Sequence, residues 1–347
     1  MTTLSRNQRK RTYLLIASVL VILLGALAYS QLAQPSSKAT DCALSETGTI
    51  SLPNIPDRID HMAFSARLNL LVVAARNNNS ISLANVTGMK LERTVGGFSL
   101  PQATVIVNQD KALVVTNGGN GTVSILDPTS LAVRATVNLA SNADNVVVDP
   151  AASRLYVGYG IGGVAIINMT NWKLIQSVPL IGHPEALGVE ENGSKLFVNV
   201  PAGNYIAVLN KTSGQPLGNW PLTNASGVFP MALDEAHHVL FVGARAPNKL
   251  IMINSQSGAE ITELGIPTDA DDAFYDPANG CVYVSSGAGY ITAIKEVTPN
   301  SFHLAQSIQT YAGARTSLLD AKSGLYFVAV PQSQTAPASV IVYQVAG

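Results

Sequence analysis

The chain has 347 residues, of which 12% are charged and 47% apolar, with 21 Lys plus Arg set against 22 Asp plus Glu. That balance excludes the basic footprint of a nucleic-acid binder and the polar make-up of a disordered chain, so no nucleic-acid partner is expected. Two cysteines are too few for a disulfide scaffold or a structural zinc site.

Residues 1–12 carry Arg6, Arg9, Lys10 and Arg11, and the first acidic residue is Asp41. An uncharged run follows, YLLIASVLVILLGALAYSQLA (13–33), close to the ~20 residues that a bilayer-spanning helix needs. Positive charge before the run and little after it reads as a basic cytoplasmic tail and a transmembrane signal-anchor. The protein is then a single-pass cell-membrane protein whose body is extracytoplasmic, in the periplasm or at the cell surface. A cleaved signal peptide is the competing reading and would give a secreted protein. Ala26-Leu27-Ala28 or Ala28-Tyr29-Ser30 would supply the small residues of the cleavage site. Residues 34–46 read as a flexible stalk. Cys42 lacks the apolar residues that precede a lipidated cysteine.

From about residue 47 a repeat takes over. Its clearest copy is DNVVVDPAASRLYVGYG (144–160): a polar pair, a β-branched run, an Asp-Pro turn and a second run ending in glycine. β-Branched runs suit buried pleated strands, and Asp-Pro suits the first half of a type I turn. The polar pairs begin near 60, 101, 144, 184, 229, 271 and 314, at spacings of 41, 43, 40, 45, 42 and 43. A regular period in the low forties, built of short strands, predicts four-stranded propeller blades. The fold class is therefore all-β, a seven-bladed propeller over 47–347 that follows one N-terminal transmembrane or signal helix. The seventh blade runs out after its third strand, ASVIVYQV (338–345), and TGTISLP (47–53) is placed to supply the fourth. Strands from both termini would then share a blade and close the ring.

The second run of blade 2 ends VVTN (114–117), and its counterparts end YVGY, FVNV, FVGA and YVSS. This pattern resembles the YVTN/YncE-like β-propellers, a group related in fold to the haem d1 domain of cytochrome cd1 nitrite reductase. The resemblance covers 47–347 and implies an exported, seven-bladed, ligand- or partner-binding protein. It implies no particular activity, because the shared motif is structural.

In a propeller, the starts of the inner strands and the ends of the second strands lie on one face. Opening residues on those strands place His61, Gln102, Asn145, Glu185, Asp272 and Arg315 around the channel mouth, with His183 just before Glu185. Loops after the second strands add Arg76, Asn117 and Arg245. Because neighbouring residues in a strand point to opposite sides, only one of each opening pair is expected to face the channel. Three occupants fit such a mouth. One is a small polar or anionic ligand, or a partner protein, held by Arg315, His61 and Arg245. A second is a divalent cation, calcium or magnesium, on Asp144, Asn145, Glu185 and Asp272, which would make the protein a lactonase-like hydrolase. The third, suggested by the d1 kinship, is a haem or redox cofactor on His61 or His183. Away from the mouth, His237-His238 in an inner turn reads as a solvated surface pair, and NGGNG (117–121) as a tight turn. Seven N-x-S/T sequons read first as turn sequences. Cys42 and Cys281 are available to pair outside the cell.

Overall fold

A computed structural model describes residues 41–346. The basic tail, the apolar run at 13–33 and most of the proposed stalk lie outside the described residues. Among those described, no helix is long and apolar enough to cross a membrane.

The β-branched runs form strands as their pattern predicts. In blade 3, strand a is Val146–Asp149, b is Arg154–Tyr159, c is Gly163–Asn168 and d is Lys173–Pro179, paired antiparallel in that order. Seven such four-stranded sheets account for all 28 strands among the described residues. Strand a starts at residues 62, 101, 146, 187, 226, 270 and 317, each within three residues of the expected blade start. The Asp ending strand a caps its turn: Asp149 Oδ1 accepts from the Ala152 N–H at 3.0 Å, and Asp276 Oδ1 from the Ala278 N–H at 3.0 Å. At the c–d turns Asn168 and Asn210 accept from the N–H two residues on. These two sequons are therefore built as turns.

The core is not at the centre of the ring. Seven apolar clusters lie between neighbouring blades, one per interface, and the seam between blades 7 and 1 is among them. Strand b contributes to every seam, because both of its faces meet another sheet. In blade 1 all six residues of Leu70–Ala75 are buried. The outer strands face water on one side and read polar, as in Lys90–Gly96.

Ring closure follows the expected plan. Leu44–Leu52 pairs with Ala338–Val345 as strand d of blade 7. The strand is a full structural equivalent of the other outer strands. Each of them carries one unpaired residue at a similar level, such as Glu92 in blade 1 and Ile175 in blade 3, and Thr47 occupies that place here. A repeated bulge of this kind raises the local twist of the outer edge.

One boundary differs from expectation. Residues 41–46, assigned to the stalk, belong to the propeller: strand d starts at Leu44, and Cys42 is buried in a disulfide with Cys281 of blade 6. A strand that must close a ring gains from being tied at its start. The cross-link closes a loop of 239 residues, for which the loop-entropy model gives up to about 5 kcal/mol of stabilisation. Replacing both cysteines with serine should therefore lower the denaturation midpoint and expose the N-terminal strand to proteolysis. An unchanged midpoint would show that the seam alone holds the strand.

Candidate functional site

The a strands enclose a channel cavity of about 370 Å³. Apolar side chains such as Phe64, Val147, Leu187 and Leu318 line it, with His61, Asn145 and Asp272 among them. A second cavity of about 190 Å³ is polar and is lined by Arg58, Arg76, Gln102, Asn142, Asp144, His183, Glu185, Phe229, Arg245, Asp271 and Arg315. These residues come from the turns entering strand a and the ends of strand b, so they mark the mouth.

The mouth gathers its arginines in one arc, each beside an acid. Blades 5, 7 and 1 bring the cations. Arg245 reaches the Asp271 carboxylate at 2.5 Å and stacks on the Phe229 ring at 3.6 Å. Arg315 donates to both oxygens of Asp269, at 2.8 and 3.0 Å. Arg58 lies 3.2 Å from Asp60 and 3.9 Å from Asp271. Gly287 makes room for Asp269, since a Cβ there would sit 2.0 Å from its carboxylate. Blades 2 to 4 bring amides, acids and an imidazole. Arg76 Nε donates to Gln102 Oε1 at 2.7 Å, and Gln102 Nε2 passes the chain on to Asp144 Oδ2 at 2.8 Å. His183 lies 3.2 Å from the same oxygen, and its other ring nitrogen faces the Gly160 carbonyl at 2.6 Å.

This crowding shifts protonation. Both His183 nitrogens face acceptors, so the imidazolium suits the site. Burial opposes that charge, but Asp144 and the Gly160 carbonyl outweigh it and raise the pKa. Below the mouth, burial likewise opposes charge on His61. Asp272 at 3.3 Å and Asp60 at 3.7 Å prevail, holding it well above its usual value. Burial, with Asp144 and Asp271 as like charges, pushes Asp60 up to about 6. Glu185 is pushed up to about 7, first by burial and then by Asp144. Its carboxylate accepts no hydrogen bond among the described residues, so it faces the cavity uncommitted.

Set against expectation, Gln102, Glu185, His183, Arg76, Arg245 and Arg315 line the mouth, and His61, Asn145 and Asp272 line the channel. Asn117 does neither. It is buried in blade 2, accepting from the Ser99 N–H and donating to the Thr122 hydroxyl and carbonyl, as a brace for the turn. In the pairs Asp144-Asn145 and Asp271-Asp272 one residue lines the channel, as expected, but its neighbour is not lost to the site: Asp271 and Asp144 reach the mouth while Asp272 and Asn145 reach the channel. The cause is local: the a–b register shifts between Ala270 and Asp272, and Asp144 precedes its strand. Arg58, Asn142 and Asp269 are additional members of the mouth network. Each stands two residues before a polar pair, in the turn from the preceding blade. Counting that turn as part of the mouth would have found them.

The expected cation set does not assemble. Asp144 and Glu185 line the mouth, while Asn145 and Asp272 line the channel. Asp272 is already engaged by the Ser317 N–H at 2.7 Å and by His61. Nor does either histidine present a free nitrogen to haem iron, because both nitrogens of each lie against acceptors or carboxylates.

No family model matches the chain, and no curated protein matches it. Its fold is widely shared, with 1800 solved chains matching. One, in a crystal structure of a mitotic checkpoint complex, superposes with a TM-score of 0.75 at 14% identity, over 90% of this chain and 95% of that one. Likeness at that identity establishes the class alone: a seven-bladed β-propeller.

The electrostatics give a signed prediction. Asp60, Glu185, His61 and His183 all have raised folded pKa values, so the folded state holds more protons than the unfolded one between about pH 4 and 8. Their contribution to stability therefore falls as pH rises through that window. Glu185→Gln removes one such charge and should raise stability at pH 8 by about 1 kcal/mol, with little effect at pH 5. Melting temperatures at the two pH values check this, and an equal effect at both would contradict it.

Proposed function

We propose that this protein is an exported, membrane-tethered propeller of the YncE-like kind, and that its mouth binds a small polar ligand. The observation that carries the reading is the uncommitted Glu185 carboxyl, held near neutrality opposite an arginine-lined arc. Structural turns consume their polar groups, and a strongly perturbed acid with no partner in a cavity marks a site. The YncE-like kinship rests on the strand endings and the period of the repeat. Export is supported by the apolar run at 13–33 and by the Cys42–Cys281 disulfide, a bond that persists in oxidising compartments.

The ligand's chemistry follows from the charges of the mouth. Arg58, Arg76, Arg245 and Arg315 are matched by Asp60, Asp144, Asp269, Asp271 and Glu185, so the cavity as a whole is close to neutral. A polyanion gains little there. A compact molecule with a hydroxyl or ammonium donor toward Glu185 suits this cavity, and a carboxylate at its other end would share Arg315 and Arg245 with Asp269 and Asp271. A terminus or side chain of a partner protein with the same groups is the alternative occupant.

One observation favours a second reading, hydrolysis in the same mouth. A carboxyl near pH 7 beside His183 is suited to general acid–base work. The metal-dependent form of that reading is the weaker one, because its ligands are divided between two cavities.

A thermal-shift panel of amino acids, hydroxy acids and sugar acids tests the binding reading. At least one class should raise the melting temperature of the wild type, and Arg315→Gln and Glu185→Gln should each reduce its affinity at least about tenfold. A panel without effect, or an effect that survives both substitutions, would contradict it.

A further inference from the structure

The face opposite the mouth carries the a–b and c–d turns, and neighbouring blades touch there through polar contacts. In blade 4 the residue after strand c is Lys211, whose N–H bonds the Ser194 carbonyl at 2.8 Å. Its Nζ lies 3.0 Å from Asp149, the Asp that ends strand a of blade 3. Between blades 2 and 3 the turn residue Asn108, one past the equivalent position, donates to the Met169 carbonyl at 3.3 Å. Each time a donor meets an acceptor.

Between blades 5 and 6 this complementarity breaks. Glu296 is the equivalent of Lys211, its N–H bonding the Gly280 carbonyl at 2.8 Å, and it faces Asp234, the Asp that ends strand a of blade 5. Two acids meet where a lysine and an acid meet elsewhere. Both are buried, the Glu296 side chain to 2% exposure, and neither Glu296 oxygen receives a well-formed hydrogen bond, although the Tyr275 phenol and the Asp234 carboxyl lie close enough to engage it. No Lys or Arg among the described residues forms an ion pair with either acid. Tyr275 lies beside them, but its single phenolic O–H cannot neutralise two carboxylates. The neighbouring cationic group is His237, whose Nδ1 is 2.6 Å from Asp234 Oδ2 and 3.4 Å from Glu296 Oε1. Far from being a merely solvated neighbour of His238, it closes a three-residue cluster whose ligand atoms all lie within 4.8 Å of one another.

A buried, unpartnered carboxylate facing another acid calls for a cation. We infer that Asp234, His237 and Glu296 form a divalent-metal site of the zinc type, which fastens blade 5 to blade 6 on the face away from the mouth. One imidazole with two carboxylates is a donor set zinc accepts, and bonds of ~2.0–2.2 Å in a tetrahedron put ligands ~3.4 Å apart. The separation from His237 to Glu296 already has that value. The His237–Asp234 contact must open by less than an ångström, which a half-exposed side chain in a turn can allow. The exposed side of His237 is the entry path and leaves room for a water as fourth ligand.

The test uses the full chain, stripped with chelator, reloaded with zinc chloride, gel-filtered and assayed for bound zinc and melting temperature. The wild type should retain one zinc and melt higher with it. Glu296→Lys installs the pair that blades 3 and 4 use, so it should stay folded, lose the zinc and lose the metal-dependent shift. His237→Ala removes the nitrogen ligand without recharging the interface and should weaken zinc binding about 10- to 100-fold. A wild type that retains no zinc would overturn the site. So would zinc retained by both variants.

Discussion

Everything in this molecule depends on the ring being shut. The apolar core is divided among seven seams, and no blade can bury both faces of its sheet without a neighbour on each side. The seam between blades 7 and 1 exists only because Leu44–Leu52 completes blade 7. Closure also fixes the mouth, where every blade contributes to one cavity and small rotations of a blade would separate its charges. The strand, its bulge and the cross-link at Cys42 therefore act on the site from a distance: they set where Arg58 and Arg315 stand relative to Asp271.

On that frame the two ends of the ring are built differently. At the turn face Asp149, Asp276 and Lys211 are consumed by caps and interblade pairs. At the mouth, acids are crowded until burial and like charge hold Asp60 and Glu185 partly neutral. Such an arrangement costs stability at neutral pH and has no structural return in the empty ring. Under the proposed binding role, a ligand donor at Glu185 would supply the one partner the mouth lacks, since its arginines are already paired with Asp60, Asp269 and Asp271. The Asp234–Glu296 pair departs from the Asp149–Lys211 pairing at the equivalent place between blades 3 and 4, and the proposed cation would restore complementarity there.

Much of this was legible in the sequence because a propeller repeats itself. The spacing of polar pairs gave seven blades, the Asp-Pro and Asp-x-x turns located the inner loops, and the missing strand of blade 7 pointed to the N-terminus. Seven of the mouth residues, from Arg76 to Arg315, followed from position in the repeat alone. Three things did not follow. The bulge at Ala270–Asp272 defeats strict alternation, and single-strand periodicity carries no sign of it. Asn117 looks like a mouth residue from its place in the repeat, and only its hydrogen bonds to Ser99 and Thr122 show it to be a brace. Asp234 and Glu296 are in different blades, and their meeting depends on how neighbouring blades dock. A period locates equivalent positions without showing that two of them touch.

The central claim is that the mouth is a binding site, marked by the uncommitted Glu185 carboxyl. Native mass spectrometry of the full chain, purified gently from its host without exhaustive dialysis, tests it most directly. The account predicts a population carrying one small polar molecule, present in the wild type and absent from an Arg315→Gln/Glu185→Gln double variant. Bare polypeptide in both, with no adduct gained on adding host extract, would contradict it.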